Sequence, residues 1–251
     1  MGRDRYLSKA PIREALIDIQ FQRPIGLDLI DDFAESIRTA TTAKHDIWAA
    51  VFGVSTGVKG DLPQASTSQS VIGRRLDLKK GPFILQCREN GFTLSRLAPY
   101  KDWNDLRTEA NLLWRQFRQR FASVPVSRIA VRYINEIKLP LPIVDFDEYL
   151  TAAPKSPTGV PQAFSQFLTR VMIPDEEKKC VSVISHVMEA PPEETPNGSS
   201  VTLLLDIDVF REILPPIVDD DRLWDGIDEL RLQKNRMFFA HLTDKALELF
   251  A

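Results

Sequence analysis

Short apolar runs rich in β-branched and aromatic residues recur along the chain and predict a protein built mainly of strands. Turn and loop residues separate these runs, and Asn90-Gly91 between two of them is a strong hairpin signal. A Pro-rich and acidic stretch over 189–198 predicts a surface loop, and a polar stretch over 59–70 predicts another. The predicted strands are 14–21, 48–58, 71–78, 83–88, 92–97, 128–139, 164–173, 180–188 and 201–210.

Three segments instead repeat their apolar residues with the period of a helix. The first is 27–39, and the second is 103–121, where one apolar stripe follows Asp102 as a predicted N-cap. Acidic residues fill the first turn of that second helix and arginines fill its last turns, as the helix dipole favours. The third segment is 221–250, and we expect a break in it near Leu242-Thr243-Asp244.

The order of these elements predicts an α+β fold in which antiparallel sheets are backed by helices. Consecutive strands joined by short polar loops favour antiparallel pairing over a doubly wound parallel sheet. Residues 1–126 read as strand, helix, several strands and helix, and residues 127–251 read as strand, a further short helix, three strands and helix. We therefore interpret them as two related α+β halves of one compact unit. The repeat is one of element order and not of sequence identity.

Composition narrows the classes of function. The net charge of −3 and the pI of about 5.7 provide no general attraction for nucleic acid, although a local basic patch is compatible with them. No apolar run approaches the roughly 20 residues of a membrane-spanning helix, and the charged N-terminus lacks the apolar core of a secretion signal. Cys87 and Cys180 lie far apart in strand-like runs, as buried reduced thiols do. We therefore expect a cytoplasmic protein without membrane contact.

Two aspartates are the best candidates for metal-dependent chemistry. Asp206 and Asp208 end an apolar run, and because strand side chains alternate they share one face about 6–7 Å apart. That spacing suits a divalent metal ion of the kind used in phosphoryl transfer. The alternative is that these carboxylates pair with arginines on neighbouring strands.

Arginines on two predicted strands are candidates for anion binding. Arg96 ends one strand, and Arg128 and Arg132 share a face of another, with Asn135 close by. Guanidinium forks suit phosphate or carboxylate groups. The alternative is that they form salt bridges with Asp206, Asp208 or Glu136. We take Arg96, Arg132 and Asn135 as the candidate binding residues.

Familiar catalytic machinery is missing from the sequence, and no cofactor is indicated. The chain has no phosphate-binding glycine loop, no nucleophile elbow and no zinc spacing around its three histidines. The C-terminal segment 230–244 is dense in apolar residues, which core packing explains. Phe239 and Phe250 fall partly outside its apolar face, so the alternative is a surface for a protein partner or for self-association.

Several short motifs together resemble a sporadically distributed family of bacterial proteins of about this length. They span nearly the whole chain in the expected order and are Ala10-Pro-Ile with Glu14-Ala-Leu-Ile, Phe92-Thr-Leu-Ser-Arg-Leu with Pro99-Tyr100, Trp103, Arg132-Tyr-Ile-Asn135, Leu205-Asp-Ile-Asp208, Lys234-Asn235 with Phe238, and Leu242-Thr243. The resemblance implies scattered occurrence and brings no established activity and no catalytic residues. Scattered occurrence suggests a role in an accessory, mobile-element or defence system.

These observations lead to a first hypothesis and two alternatives. The first is a non-catalytic binding or interaction protein, such as a subunit of a bacterial accessory or defence module. The second is a divalent-metal enzyme acting on phosphoesters, with Asp206 and Asp208 as ligands and Arg96 or Arg132 on the anion. The third is a small-molecule or anion sensor that uses the concave face of the sheet.

Overall fold

Alternating apolar side chains produce nine strands in the described residues, and all nine join one antiparallel sheet. The computed structural model describes residues 7–55, 64–121, 123–188 and 200–251. The strands are β1 (Ile12–Phe21), β2 (Thr41–Ser55), β3 (Gln64–Leu78), β4 (Phe83–Arg88), β5 (Gly91–Leu97), β6 (Val126–Pro140), β7 (Phe167–Asp175), β8 (Cys180–Met188) and β9 (Ser200–Ile217). The helices are α1 (Leu27–Ser36), α2 (Trp103–Arg118), α3 (Asp220–His241) and α4 (Asp244–Glu248), with short 3-10 turns at Arg38–Ala40 and Phe146–Glu148.

The strand order is β2-β3-β4-β5-β1-β6-β9-β8-β7, so two meanders meet at the centre of the sheet. In the first, β2 to β5 run side by side and β5 pairs with β1. In the second, β7 to β9 run side by side and β9 pairs with β6. Pairing between β1 and β6, which brings Ala15 opposite Tyr133, joins the two meanders. The predicted α+β class with antiparallel pairing is confirmed.

One face of the sheet carries the helices and the apolar core. On β1 the buried positions are Ala15, Ile17, Ile19 and Phe21, and the same alternation continues on the neighbouring strands. Helix α1 packs on β3 and β4, α2 on β1 and β5, and α3 on β6, β9 and β8. We call this the covered face. In the described residues no helix packs on the opposite face, which we call the open face.

Helix α2 fixes the first half of the core through its aromatic stripe. The ring of Phe117 contacts the rings of Phe21, Phe33, Phe92, Trp114 and Phe121, with centroid distances between 4.3 and 5.7 Å. The helix begins as predicted, because the Asp102 carboxylate accepts a hydrogen bond from the Asp105 backbone N–H at 2.7 Å.

Two aspartates of α3 bind α2 from the side. Asp228 accepts hydrogen bonds from the Trp103 indole at 2.9 Å and from Arg107 at 2.8 Å. Asp220 accepts hydrogen bonds from the Trp114 indole at 2.9 Å and from Arg118 at 3.0 Å. Because charge-assisted hydrogen bonds are the stronger kind, these two carboxylates hold the long helices of the two halves in a defined relation.

The structure corrects the sequence prediction at three strands, and the first of these is β2, which begins at Thr41 and not at Trp48. The polar loop predicted over 59–70 is wrong from Gln64 onward, since Gln64–Ser70 belongs to β3 and pairs with β2. The sequence of Gln64–Ser70 contains mostly polar residues, so it lacks the apolar alternation by which a strand is predicted. Strand β9 also continues seven residues beyond the predicted Phe210, to Ile217. Predictions for 56–58, for 59–63 and for the loop at 189–198 lie outside the described residues.

Strand β7 ends the sheet and exposes apolar side chains. Leu168 is 70% exposed and Met172 is 64% exposed, and Val171 and Ile173 are also exposed. Among the described strands β7 pairs only with β8, so one edge of its backbone has no strand beside it.

Replacing Phe117 with alanine should destabilise the protein by about 3–5 kcal/mol, because the change leaves a cavity among the surrounding rings. Leu112→Ala on the same helix is the matched control, since Leu112 is 51% exposed and should change stability by no more than ~0.5 kcal/mol. Urea unfolding of the two variants measures both effects. Equal losses would contradict the assignment of the Phe117 face as core.

Candidate functional site

Asp206, a predicted metal ligand, is paired with an arginine. On the open face the Arg132 guanidinium donates to both carboxylate oxygens of Asp206, at 2.8 and 2.6 Å. The two residues lie on the neighbouring strands β6 and β9. This two-point pairing is the salt bridge that the sequence offered as the alternative, and it raises the pKa of Arg132.

Asp208, the second predicted ligand, belongs to a row of charges across the centre of the open face. Arg128 lies 3.8 Å from Asp208 and 3.4 Å from Asp18. Asp18 in turn accepts hydrogen bonds from Arg88 at 2.8 Å and from the Thr93 hydroxyl. Burial raises the pKa of Asp208, which the arginines offset in part. Positive and negative charges alternate along this row, so they offset one another in part.

A metal centre gains no support from this arrangement. Within the described ranges no group of three or more His, Cys, Asp or Glu side chains stands together as metal ligands would. Asp206 is held by a guanidinium, and a divalent cation would have to displace it. The phosphoester enzyme with Asp206 and Asp208 as ligands therefore stays a prediction.

The predicted group of three arginines is wrong, because Arg96 points to the other face of the sheet. Register places Arg96 opposite Ala15 on the covered face, whereas Arg132 lies opposite Leu16 on the open face. The Arg96 guanidinium lies 3.2 Å from Asp105 without the alignment of a hydrogen bond, and it stacks 4.7 Å over the Phe83 ring. Alternation along one strand shows which of its own residues share a face. It could not show whether Arg96 and Arg132 share a face, because the register between their strands was unknown.

Asn135, the third predicted binding residue, lines a cavity on the covered face. Its side-chain amide donates to the Leu205 carbonyl at 2.9 Å, which fixes the side chain against β9. The cavity has a volume of about 190 Å³ and lies where the start of α2, strand β6 and helix α3 meet. Its walls include Tyr100, Trp103, Tyr133, Asn135, Lys234 and Phe238. All six belong to the motifs singled out in the sequence.

Lys234 is the unusual residue of this cavity. It is 7% exposed, and no carboxylate or carbonyl of the described residues pairs with its amine. The contact of its Nζ is with the face of the Tyr133 ring, 3.7 Å from the ring centre. Burial, together with the neighbouring Arg231, lowers the pKa of Lys234 to about 7. At neutral pH the amine is therefore present in both protonation states.

Two tyrosine hydroxyls lie next to Lys234. The hydroxyls of Tyr100 and Tyr133 are 2.8 Å apart and share one hydrogen bond, and their rings meet edge to face. Burial raises the pKa of Tyr100 to about 12 and that of Tyr133 well above its usual value. Both hydroxyls consequently keep their protons at neutral pH and can donate one to a bound group.

The charged residues around the cavity are mainly cationic. Lys101, Arg231 and Lys234 contribute positive charge, and Asp102 is the one carboxylate among the described lining residues. The Asp102 side chain is already engaged as the N-cap of α2. Arg231 likewise has no ion pair or hydrogen-bond acceptor among the described residues. The lining therefore favours an anion, and its apolar walls favour a small organic one.

Lys234 was not predicted as a functional residue, although the sequence contains a signal for it. Leu230, Lys234 and Phe238 are spaced four residues apart, so the lysine lies on the apolar face of α3. A lysine is almost never fully buried unless it is paired. What the sequence could not show is that Tyr100 and Tyr133 would meet it.

The two phenylalanines of the C-terminal segment that fell partly outside its apolar face are buried or partly buried in the structure. Phe250 is 7% exposed and belongs to the core, and Phe239 is partly buried against it. The expected docking surface on 230–244 thus loses the observation that motivated it. A protein partner or self-association through this segment stays a prediction.

Larger cavities occur elsewhere in the described structure, but they do not contain a buried lysine of this kind. One of about 690 Å³ lies among the loop residues between Leu141 and Ser165, and another of about 540 Å³ lies beside α3 near Arg236. Neither has a buried, unpaired charged side chain in its described lining. The smaller cavity is therefore the better candidate site.

A second buried pair of titratable groups lies near the end of α3. The rings of His186 and His241 are 5.5 Å apart. His241 donates from Nδ1 to the Met237 carbonyl at 2.8 Å, and the buried Nε2 of His186 has no partner in the described structure. Burial, with a smaller contribution from His241, lowers the pKa of His186 to about 4.

Comparison with known proteins does not identify a family for this chain. No protein-family model matches the chain, and no curated protein matches it significantly. The family resemblance in the motifs stays an expectation. Among the described helices, none combines the length and the apolar character needed to cross a membrane.

Lys234→Met should stabilise the protein at pH 7 by on the order of 1–3 kcal/mol, because it removes a buried amine that resists protonation. The pKa of Lys234 is lowered from 10.5 to about 7, so the wild-type protein loses stability as the pH falls from 10.5 to 7. The gain in the variant should therefore vanish above about pH 10.5. Urea unfolding at several pH values measures the difference, and a gain independent of pH would contradict the assignment.

His186 should produce a separate loss of stability in acid. Its pKa is lowered from 6.5 to about 4, so between these values the unfolded chain binds a proton that the folded protein does not. We expect a loss of up to roughly 3 kcal/mol as the pH falls through this window. His186→Gln should flatten this part of the pH profile, whereas His45→Gln, at an exposed position, should leave it unchanged.

Proposed function

We propose that this protein binds a small anionic organic molecule in the cavity around Lys234. The observation that carries the proposal is a buried lysine that opens into a cavity and has no anionic partner in the described structure. Burying an unpaired ammonium costs several kcal/mol, and proteins keep such groups chiefly where a ligand or a reaction uses them. A bound anion supplies the missing counter-charge.

The size and walls of the cavity define the ligand class. A volume of about 190 Å³ is below the roughly 300–1,000 Å³ of sites for drug-sized ligands, which points to a molecule of a few carbon atoms. Arg231 and Lys234 lie three residues apart on one side of α3, so both cations can reach one carboxylate or phosphate group. Asn135 and the tyrosine hydroxyls provide further polar contacts.

The proposal keeps the first hypothesis from the sequence, a binding protein, and joins it to the anion sensor that was an alternative. It places the site in the cavity on the covered face of the sheet. On the open face the arginines Arg128 and Arg132 are engaged by aspartates, so they offer no free cation to a ligand. A place in an accessory or defence module stays a proposal that rests on the resemblance alone.

Binding should be accompanied by proton uptake near pH 7. An anion beside Lys234 stabilises the ammonium and raises its pKa from about 7, so part of the protein population takes up a proton on binding. Calorimetric titration with lactate and with inorganic phosphate, each in two buffers of different ionisation enthalpy, measures this uptake. Heats that are independent of the buffer would contradict the role of Lys234.

Lys234→Met should weaken binding of the same probes by roughly 10- to 100-fold, because it removes a charge-assisted hydrogen bond. Arg236→Gln on the same helix is the matched control, since Arg236 is exposed and lies outside the cavity lining. Equal affinity of wild type and Lys234→Met, or no heat with either probe, would argue against the proposed function.

A further inference from the structure

The amine of Lys234 has the surroundings of a nucleophile and not only of a counter-charge. It lies at the wall of a cavity, is nearly withdrawn from solvent, and has no hydrogen-bond acceptor among the described residues to hold it in the ammonium form. Amines react with carbonyl groups only when they are neutral. Desolvation is a known means by which proteins activate lysine for this chemistry.

We propose that Lys234 captures the carbonyl group of a small anionic aldehyde or 2-oxo acid as an imine. This inference rests on the proposed function, because the same cavity must first hold the anion. It goes beyond that function by assigning a covalent step and a substrate class. The low pKa of the amine is consistent with the step, since a large fraction of Lys234 is neutral at pH 7.

The step balances without an oxidant, a reductant or a metal ion. The lone pair of Nζ attacks the carbonyl carbon, a C–N bond forms, and the electrons of the C=O π bond move to oxygen, which takes up a proton. The nitrogen gives up two protons in all, which replace the one taken up by the oxygen and supply a second to the resulting hydroxyl group. The C–O bond then breaks, water leaves with both protons, and the nitrogen lone pair forms the C=N bond. Amine and carbonyl compound thus give imine and water, and hydrolysis reverses the step.

The hydroxyl pair provides a proton source beside the reacting atoms. Nζ lies over the Tyr133 ring, and the Tyr133 hydroxyl is hydrogen-bonded to that of Tyr100 at 2.8 Å. One hydroxyl can donate to the carbonyl oxygen while the other returns the proton, as general acid–base catalysis requires. Because both tyrosines are protonated at neutral pH, they begin the cycle as acids.

The remaining cation sets the orientation of the substrate. Arg231 faces the cavity one helical turn before Lys234, and its fork suits the carboxylate or phosphate of a 2-oxo acid or a phosphorylated aldehyde. With the anionic end at Arg231, the carbonyl carbon of a short molecule lies towards Lys234. Among the described residues, the charged and titratable groups that line the cavity with Lys234 are Tyr100, Lys101, Asp102, Tyr133 and Arg231.

Borohydride trapping with pyruvate tests the proposal. The purified 251-residue chain is incubated with pyruvate at pH 7, reduced with sodium borohydride, and analysed by intact mass and peptide mapping. We expect one stable adduct, on Lys234, at a level at least ~10-fold above that on any other lysine, because an ordinary lysine amine is almost entirely protonated at this pH. The exposed Lys245, which pairs with Glu148, is the internal comparison.

Variants separate the reaction from the fold. Lys234→Arg keeps the charge but cannot form an imine, so it should lose the adduct while it retains cooperative unfolding. Tyr100→Phe removes one hydroxyl of the pair and should slow trapping while the adduct still forms on Lys234. Adducts spread evenly over surface lysines, or an undiminished adduct mass in Lys234→Arg, would overturn the proposal.

Lactate distinguishes failure of this inference from failure of the proposed function. It has the charge and nearly the size of pyruvate but no carbonyl group that an amine can attack. If calorimetry shows that pyruvate and lactate bind with proton uptake while borohydride leaves Lys234 unmodified, the covalent step is overturned and anion binding stands. If neither molecule binds and no adduct forms, both proposals fail.

Discussion

Antiparallel pairing of β1 with β6 is the contact on which the remaining structure depends. It joins two meanders that otherwise share no strand, and its register decides which side chains of each half share a face. Through it Tyr133 and Asn135 come to the covered face beside the first strand, while Arg132 goes to the open face. The cavity and the row of charges are consequences of this one register.

The two faces of the sheet differ in how their charged side chains are paired. On the open face every arginine of the central row meets a carboxylate, so their charges offset one another in part. On the covered face Lys234 and Arg231 have no such partner among the described residues. In the part of the chain that the structure describes, the central charges of the open face are thus paired, whereas the cavity on the covered face is lined by two cations that are not.

Helices and hairpins that depend on residues close together in the sequence could be predicted. Contacts between residues far apart in the sequence could not. The stripe and N-cap of α2 depend on residues within one or two turns, so they were predictable, as was the hairpin at Asn90-Gly91. The pairing of Arg132 with Asp206 was foreseen only as an alternative, because register across strands 74 residues apart cannot be inferred from alternation. Lys234 could have been suspected from its place on an apolar helix face, but its meeting with Tyr100 and Tyr133 required the tertiary fold.

The edge strand β7 affects how the protein behaves at high concentration. None of the other described strands pairs with the outer edge of β7, and a strand with such an edge and with apolar side chains on both faces is a template onto which another extended segment can add. Pro174 lacks an N–H group and therefore limits such growth towards the end of the strand. A lysine at Leu168 or Met172 would place a charge on this edge strand and so oppose the addition of a further strand. These two positions are therefore the first choice for substitutions that prevent aggregation in concentrated samples.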